Sequence, residues 1–193
     1  NIKNSNYKYN FVDKPIISNK KEFKQYINSN KKIISLMNRR FSAFTQKIKS
    51  NIDLNPSKSE LNCYFNVPLK NSEDPIFYSG GRLLGEMCHH IDLAVFLGGN
   101  VIEINKIIID NDKDAFKSEE CIVALKHESG LTSKVFYSTF KSPFWEKEAI
   151  WLSRGDDYIF IKDFKSIQSN LFNEGIKEND KGCLNMWKEI LKK

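Results

Sequence analysis

Gly80–Gly99 reads GGRLLGEMCHHIDLAVFLGG. Gly80-Gly81 opens the stretch, and Gly98-Gly99 ends it, as glycine commonly does just past a helix. Between them Leu83, Leu84, Met87, Ile91, Leu93, Val95 and Phe96 are dense enough to predict a largely buried helix running to about Leu97. Two carboxylates and two histidines sit in this apolar setting: Glu86, Asp92, His89 and His90. Helical spacing puts Glu86, His89 and His90 at i, i+3 and i+4, so one face could gather them, and Asp92 follows His89 by three. Burying such groups costs free energy unless they are paired, so two histidines and two carboxylates here point to a site. Three readings stay open: satisfied buried histidines, a metal site from Glu86, His89 and His90 with Cys88 nearby, and acid–base chemistry by a histidine. The zinc pattern HExxH is absent, the order here being ExxHH, and no metal is expected.

Upstream, Tyr7–Val12 (YKYNFV) is aromatic and β-branched, which suits a strand, and Asp13-Lys14-Pro15 stops it. Ser18 is placed to cap a helix that opens at Lys21-Glu22 and carries Phe23, Tyr26 and Ile27 on one face. Lys32–Met37 follows as a short apolar strand. Strand, helix and strand in so short a span form one βαβ crossover. Ser42 is expected to cap a second helix from Ala43 to about Ile52, with Phe44, Ile48 and Ile52 spaced by four. Leu61 and Tyr64–Val67 read as a strand, and Lys70–Ser79 as an exposed, turn-rich excursion.

Downstream the pattern changes to strands with short connections. Val101–Asp110, Glu120–His127, Thr132–Phe140, Glu148–Ser153 and Tyr158–Lys162 alternate with turn signals at Glu128-Ser129-Gly130 and Arg154–Asp157. Such connections imply an antiparallel sheet. Asn179–Lys193 reads as a closing helix. The expected class is α+β: a mainly antiparallel open sheet with helices on one face, preceded by a piece of α/β structure.

The 193 residues carry a net charge of +6, with 40% hydrophobic and 12% aromatic residues, a globular composition. Lys outnumbers Arg 26 to 4, and the lysines are spread along the chain. Bidentate phosphate and base contacts favour Arg, so no nucleic-acid partner is expected. No apolar run approaches the roughly 20 residues of a membrane span, and the N-terminus lacks a signal peptide's apolar core. The expectation is a cytoplasmic protein with no membrane contact. Its four cysteines, Cys63, Cys88, Cys121 and Cys183, contain no CxxC pair and are expected to be reduced thiols.

Gly80–Gly99 resembles the GG…H-x-x-D-L…L-x-G stretch of the glucose–fructose oxidoreductase / inositol dehydrogenase (Gfo/Idh/MocA) family, in its GR-I-I-G-E-x-C-H-F-I-D-L branch. Further matches fall in the family's order. Phe11–Pro15 (FVDKP) resembles V-E-K-P. Asn38–Phe44 with Gln46–Lys49 (NRRFSAF, QKIK) resembles N-R-R-F-S-P-x-x-Q-K-I-K. Lys147-Glu148 resembles a K-E before a strand, Asp163-Phe164-Lys165 resembles D-D-F-R, and Asp180-Lys181-Gly182 resembles D-K-G-H with Cys183 in place of the His.

The resemblance implies an NAD- or NADP-dependent oxidoreductase moving hydride between a nicotinamide and a sugar, polyol or nucleotide-sugar. It implies His89 and Lys14 as catalytic, with Glu86 and Asp92 as possible supports. Lys14, Pro15, Arg39 and Arg40 are implied on the cofactor side, and Lys14, His89 and His90 on the substrate side. Arg39 and Arg40 could equally form ordinary ion pairs. Where many members have Asp four residues before the His, this chain has Gly85. Residues 1–38 are then the end of a Rossmann domain, and 39–193 a substrate-binding domain whose large sheet makes homo-oligomers. None of the nine glycines forms G-x-G-x-x-G after a strand. The chain is therefore expected to be a fragment or a shortened form, and the alternative reading is a truncated, non-catalytic sugar-binding or oligomerisation module.

Overall fold

The structure, a computed structural model, describes residues 9–14, 20–28, 32–54, 59–67, 83–108, 120–139, 145–170, 173–176 and 178–192. Pro15, Ser18, Gly80-Gly81 and the excursion Lys70–Ser79 lie outside this set.

Strand β1 (Tyr9–Val12) pairs in parallel with β2 (Lys32–Ser35), and helix α1 (Lys20–Ile27) lies between them in the chain. A parallel pair needs a crossover, so the βαβ unit is present. β2 ends two residues before the expected Met37, where the Met37 N–H bonds the Ser35 carbonyl at 3.1 Å and the chain enters a 3₁₀ turn, Asn38–Phe41. The apolar face of α1 is not buried: Phe23 and Ile27 are both exposed.

The second sheet has eight strands: β3 (Glu60–Asn66), β4 (Val101–Ile108), β5 (Glu120–His127), β6 (Thr132–Ser138), β7 (Glu148–Arg154), β8 (Asp157–Lys162), β9 (Ser166–Ser169) and β10 (Asn173–Gly175). Their order is β10-β9-β8-β7-β3-β6-β5-β4. Every pairing is antiparallel except β3 with β6, which makes the sheet mixed. The expectation from short connections fails there because β3 is joined to the later strands through the long segment that carries helix α3 (Cys88–Gly98). β9 (SIQS) and β10 (NEG) escaped the sequence reading because neither has an apolar alternation long enough to register.

Helices α2 (Ala43–Leu54) and α3 cover one face of this sheet. Phe44, Ile48 and Ile52 of α2 and Leu93, Ala94 and Leu97 of α3 are buried in one cluster with Leu61, Cys63 and Phe65 of β3 and Val135 of β6. Each large aliphatic side chain removed from water contributes about 1.5–3 kcal/mol. Strand alternation sends the other residues to the open face. There Tyr64 stacks on Phe136 with centroids 4.7 Å apart, and Trp151 packs on Tyr158 at 5.4 Å and on Phe160 at 5.1 Å.

Ser42 does not cap α2. Its hydroxyl is buried without a hydrogen-bond partner, and the Ala43 N–H is instead accepted by Asp180 Oδ2 at 2.9 Å. That distant segment leads into helix α4 (Cys183–Leu191) through Gly182, at φ 79°. A Cβ on Gly182 would stand 2.4 Å from the Asn38 carbonyl oxygen and the Ser42 nitrogen. Only glycine meets both the left-handed conformation and this approach. Gly98 plays a similar part at the end of α3, where a Cβ would come within 2.5 Å of the His127 ring. His127 is held by the Gly99 carbonyl at 3.1 Å and Ser133 Oγ at 2.8 Å, so it is a structural histidine. All four cysteines are free. Among the described residues no helix is long and apolar enough to cross a membrane.

Candidate active site

The described part of Gly80–Gly99 is not one regular helix. Leu83–Met87 forms a π turn, and α3 proper starts at Cys88. A π turn widens the backbone ring by one residue and occurs frequently at functional sites. Its wider ring replaces, at Glu86, the regular α-helical spacing from which a shared face with His89 and His90 was expected. Glu86 instead accepts a hydrogen bond from Tyr137 Oη at the end of β6. Among the described residues no group of three or more His, Cys, Asp or Glu side chains is arranged to hold a metal ion. Burial also pushes the Cys88 thiol up to about 11, which disfavours a thiolate ligand.

Lys14 stands just past the carboxyl end of β1, where open α/β sheets hold ligands. Its Nζ donates to the Gly85 carbonyl in the π turn, and its backbone N–H is accepted by Asp13 Oδ1 at 2.8 Å. The βαβ unit and the larger domain are thus linked beside His89. Gly85 thus supplies a main-chain carbonyl to the lysine.

His89 and His90 face different surroundings. The Nδ1 atom of His89 is buried without a hydrogen-bond partner. Burial, and then the positive charges of Arg39 and Lys14 and the His90 ring, hold the His89 pKa at about 3, so at neutral pH the imidazole is uncharged. His90 is fully buried, packed 5.0 Å from the Phe65 ring, with Nε2 3.6 Å from Glu148 Oε2. Burial outweighs the pull of that carboxylate and keeps its pKa at about 3 as well. The pair is therefore a neutral ring beside an anion, not a salt bridge.

Glu148, the first residue of β7, is a node that no sequence periodicity marks. Arg39 Nε and Nη2 bind its two oxygens at 2.7 and 2.9 Å, and Lys181 Nζ also donates to Oε1. Burial opposes its charge, but the Arg39 hydrogen bonds, His90 and Lys181 hold the carboxyl at about 2. Its backbone is fixed as well: Glu148 N–H is accepted by Asp163 Oδ1 at 2.8 Å, and Asp163 N–H donates to the Glu148 carbonyl at 2.7 Å. Asp163 and Phe164 both have positive φ, 48° and 54°. This uncommon turn is held because Phe164 is wholly buried and its carbonyl accepts from Asp180 N–H at 2.8 Å. The sequence signals were present in Lys147-Glu148, Asp163-Phe164-Lys165 and Asp180-Lys181-Gly182, three short motifs that meet at one residue: Asp163 holds the Glu148 backbone and Lys181 its carboxylate.

Arg39, Arg40 and Asp92 are thus placed in ion pairs. Arg39 is 6% exposed and committed to Glu148. Arg40 binds Asp92 through Nε at 2.7 Å and through Nη2, and lies over the Phe96 ring. Asp92, expected near His89, serves Arg40 instead. Pro15 lies outside the described residues.

The sequence matches no protein-family model and no curated protein. The fold does match solved structures. A dehydrogenase from Clostridium difficile aligns with TM-score 0.72 at 16% identity, over 94% of this chain and 61% of that one. An oxidoreductase from Agrobacterium radiobacter, in complex with NAD+, L-tartaric acid and magnesium, aligns with TM-score 0.63 at 17% identity, over 89% and 53%. Levoglucosan dehydrogenase, in complex with NADH and levoglucosan, aligns with TM-score 0.66 at 14% identity, over 86% and 53%. The chain therefore spans between half and three-fifths of the length of these enzymes. At these identities the likeness establishes the fold alone: the chain has the α+β architecture found in the matching part of these oxidoreductases.

Proposed function

We propose that this chain is part of an NAD(P)-dependent oxidoreductase acting on a secondary hydroxyl, or the matching ketone, of a sugar, polyol or nucleotide-sugar. Residues 1–38 are assigned to the end of the nucleotide-binding domain and 39–193 to the substrate domain. The observation that carries the reading is the approach of Lys14, just past β1, to the segment leading into α3, where its ammonium meets the Gly85 carbonyl and its charge acts on the His89 imidazole.

A bound nicotinamide supplies the hydride acceptor or donor. The residues present fit its reacting end, because Lys14 occupies the carboxyl end of a parallel strand. They do not include a Gly-rich pyrophosphate loop. Arg39 could reach a phosphate only by giving up Glu148, whereas the more exposed Arg40 would have to release Asp92. The chain's own chemistry is proton transfer and charge stabilisation. As the carbinol carbon loses hydride, its O–H bond breaks and the proton passes to the neutral His89 imidazole. The Lys14 ammonium stabilises the negative charge building on that oxygen. In reduction the same groups act in reverse. His90, fully buried, contributes from behind His89 and does not reach substrate.

In the full-length protein, His89→Ala and Lys14→Met should each lower kcat at least 100-fold on a panel of sugars and polyols, while NADH or NADPH fluorescence titration of His89→Ala is unchanged. Turnover unaffected by both substitutions overturns the assignment. The reading carries a cytoplasmic setting, in keeping with free thiols, and a homo-oligomer through the open sheet face, on which Tyr64, Phe136, Trp151 and Phe160 lie. The same face supports the second reading, a non-catalytic assembly module. Sedimentation with and without cofactor, beside the titration, separates the two: a module assembles but does not bind NAD(P)H.

A further inference from the structure

The π turn Leu83–Met87 is tied down at two consecutive residues, in two directions. Gly85, buried, gives its carbonyl to Lys14 of the βαβ unit. Glu86 gives its carboxylate to Tyr137 Oη of the large sheet. An α-helical turn would direct the Gly85 carbonyl along the helix axis to the N–H group four residues on, whereas the wider π ring displaces the backbone from that ladder. Tyr137 is 2% exposed and stacks on Phe65 with centroids 5.6 Å apart, and Phe65 in turn packs on His90. The tyrosine is therefore a rigid anchor, fixed by the core that also holds the histidine pair.

We propose that Glu86 and Tyr137 are a positioning pair, whose hydrogen bond sets the π turn so that the Gly85 carbonyl holds the Lys14 ammonium beside His89. The inference rests on the oxidoreductase reading for its catalytic consequence, but not for its structural content. A neutral carbonyl orients the ammonium without neutralising it, so the full positive charge remains available to a developing oxyanion. Glu86 acts through the turn and exchanges no proton with substrate.

The test uses Tyr137→Phe, Glu86→Ala and Glu86→Gln in the full-length protein. Glutamine keeps an oxygen that accepts from Tyr137, so Glu86→Gln should stay within about threefold of wild type. Tyr137→Phe and Glu86→Ala should lose 10- to 100-fold in kcat with little change in KM and in NAD(P)H affinity. A Glu86→Gln variant as inactive as Glu86→Ala overturns the proposal, because it would make the carboxylate itself a proton-transfer group. A readout independent of turnover is the acetylation rate of Lys14, followed by peptide mass spectrometry against Lys188 as an internal reference. Release of Lys14 should raise that ratio at least threefold in Tyr137→Phe and Glu86→Ala, and not in Glu86→Gln. An unchanged ratio in all three overturns the proposal even if the protein is an oxidoreductase. A raised ratio in a protein that never turns over NAD(P)H upholds the positioning pair and removes the reaction assigned to it.

Discussion

Arg39 and His90 turn into the protein, and their sequence neighbours Arg40 and His89 lie on its less buried side, so two dipeptides feed two regions. In the buried region Arg39, His90 and Lys181 surround Glu148, which has almost no contact with water. In the other, Arg40 holds Asp92 with more than a third of its side chain exposed, and His89 neighbours Lys14. The same ionic chemistry carries different weight in each. A buried carboxylate stripped of its partner is stranded in a low dielectric, whereas solvent takes over the charges of a broken surface pair. The first region is a keystone of the fold, and the second is free to change partners.

The largest effect expected from breaking this contrast is at Arg39. Arg39→Met leaves the buried Glu148 anion with Lys181 as its remaining cationic partner and should destabilise the protein by about 3 kcal/mol, read from the shift in urea midpoint. The double variant Arg39→Met/Glu148→Leu should recover much of that loss; if it does not, Glu148 is not the stranded group.

The next effect is in pH. His89 and His90 have folded-state pKa values of about 3, below the 6.5 of an unfolded histidine. Between pH 6.5 and 3 the unfolded chain therefore binds more protons than the folded one, and stability falls as pH falls through that window, by up to about 1.4 kcal/mol per pH unit for each histidine. Glu148, depressed from 4.5 to about 2, adds loss in the same direction below pH 4.5. Thermal melts at pH 7, 6 and 5 should show the decline, and His90→Phe should remove about half of the slope between pH 6 and 5. An undiminished slope would place the titration elsewhere. The smallest effect belongs to Arg40→Met, below about 1 kcal/mol and shrinking further in 0.5 M salt.

The two regions were also unequally legible in the sequence. Periodicity exposes what repeats: Phe44, Ile48 and Ile52 announce α2, and alternation announces β5 and β6. Chemistry concentrated in one apolar helix, His89 with His90, announces itself too. The Glu148 node does not, because its members come from the 3₁₀ turn after β2, α3, the start of β7 and the turn before α4, and no local pattern relates them. Only the family-like motifs hinted at those positions, without stating that they meet. The cap of α2 is hidden from the sequence for the same reason: Ser42 is the local candidate, and Asp180, which does the capping, is 137 residues away from Ala43. The π turn was invisible because the residues Leu83–Met87 are equally compatible with an α-helix. Tertiary attachments at Gly85 and Glu86 decide between the two.

The sequence separations in the node carry a kinetic consequence. Arg39 meets Glu148 across 109 residues, Asp180 caps α2 across 137, and Asn38 reaches the Lys181 carbonyl across 143. Contacts between such distant segments form late in folding, after the loop-closure entropy has been met by other interactions. Interactions absent from the folding transition state govern escape from the native state rather than entry into it. The Glu148 node is thus expected to act as a latch: weakening it should leave the refolding rate nearly unchanged and accelerate unfolding.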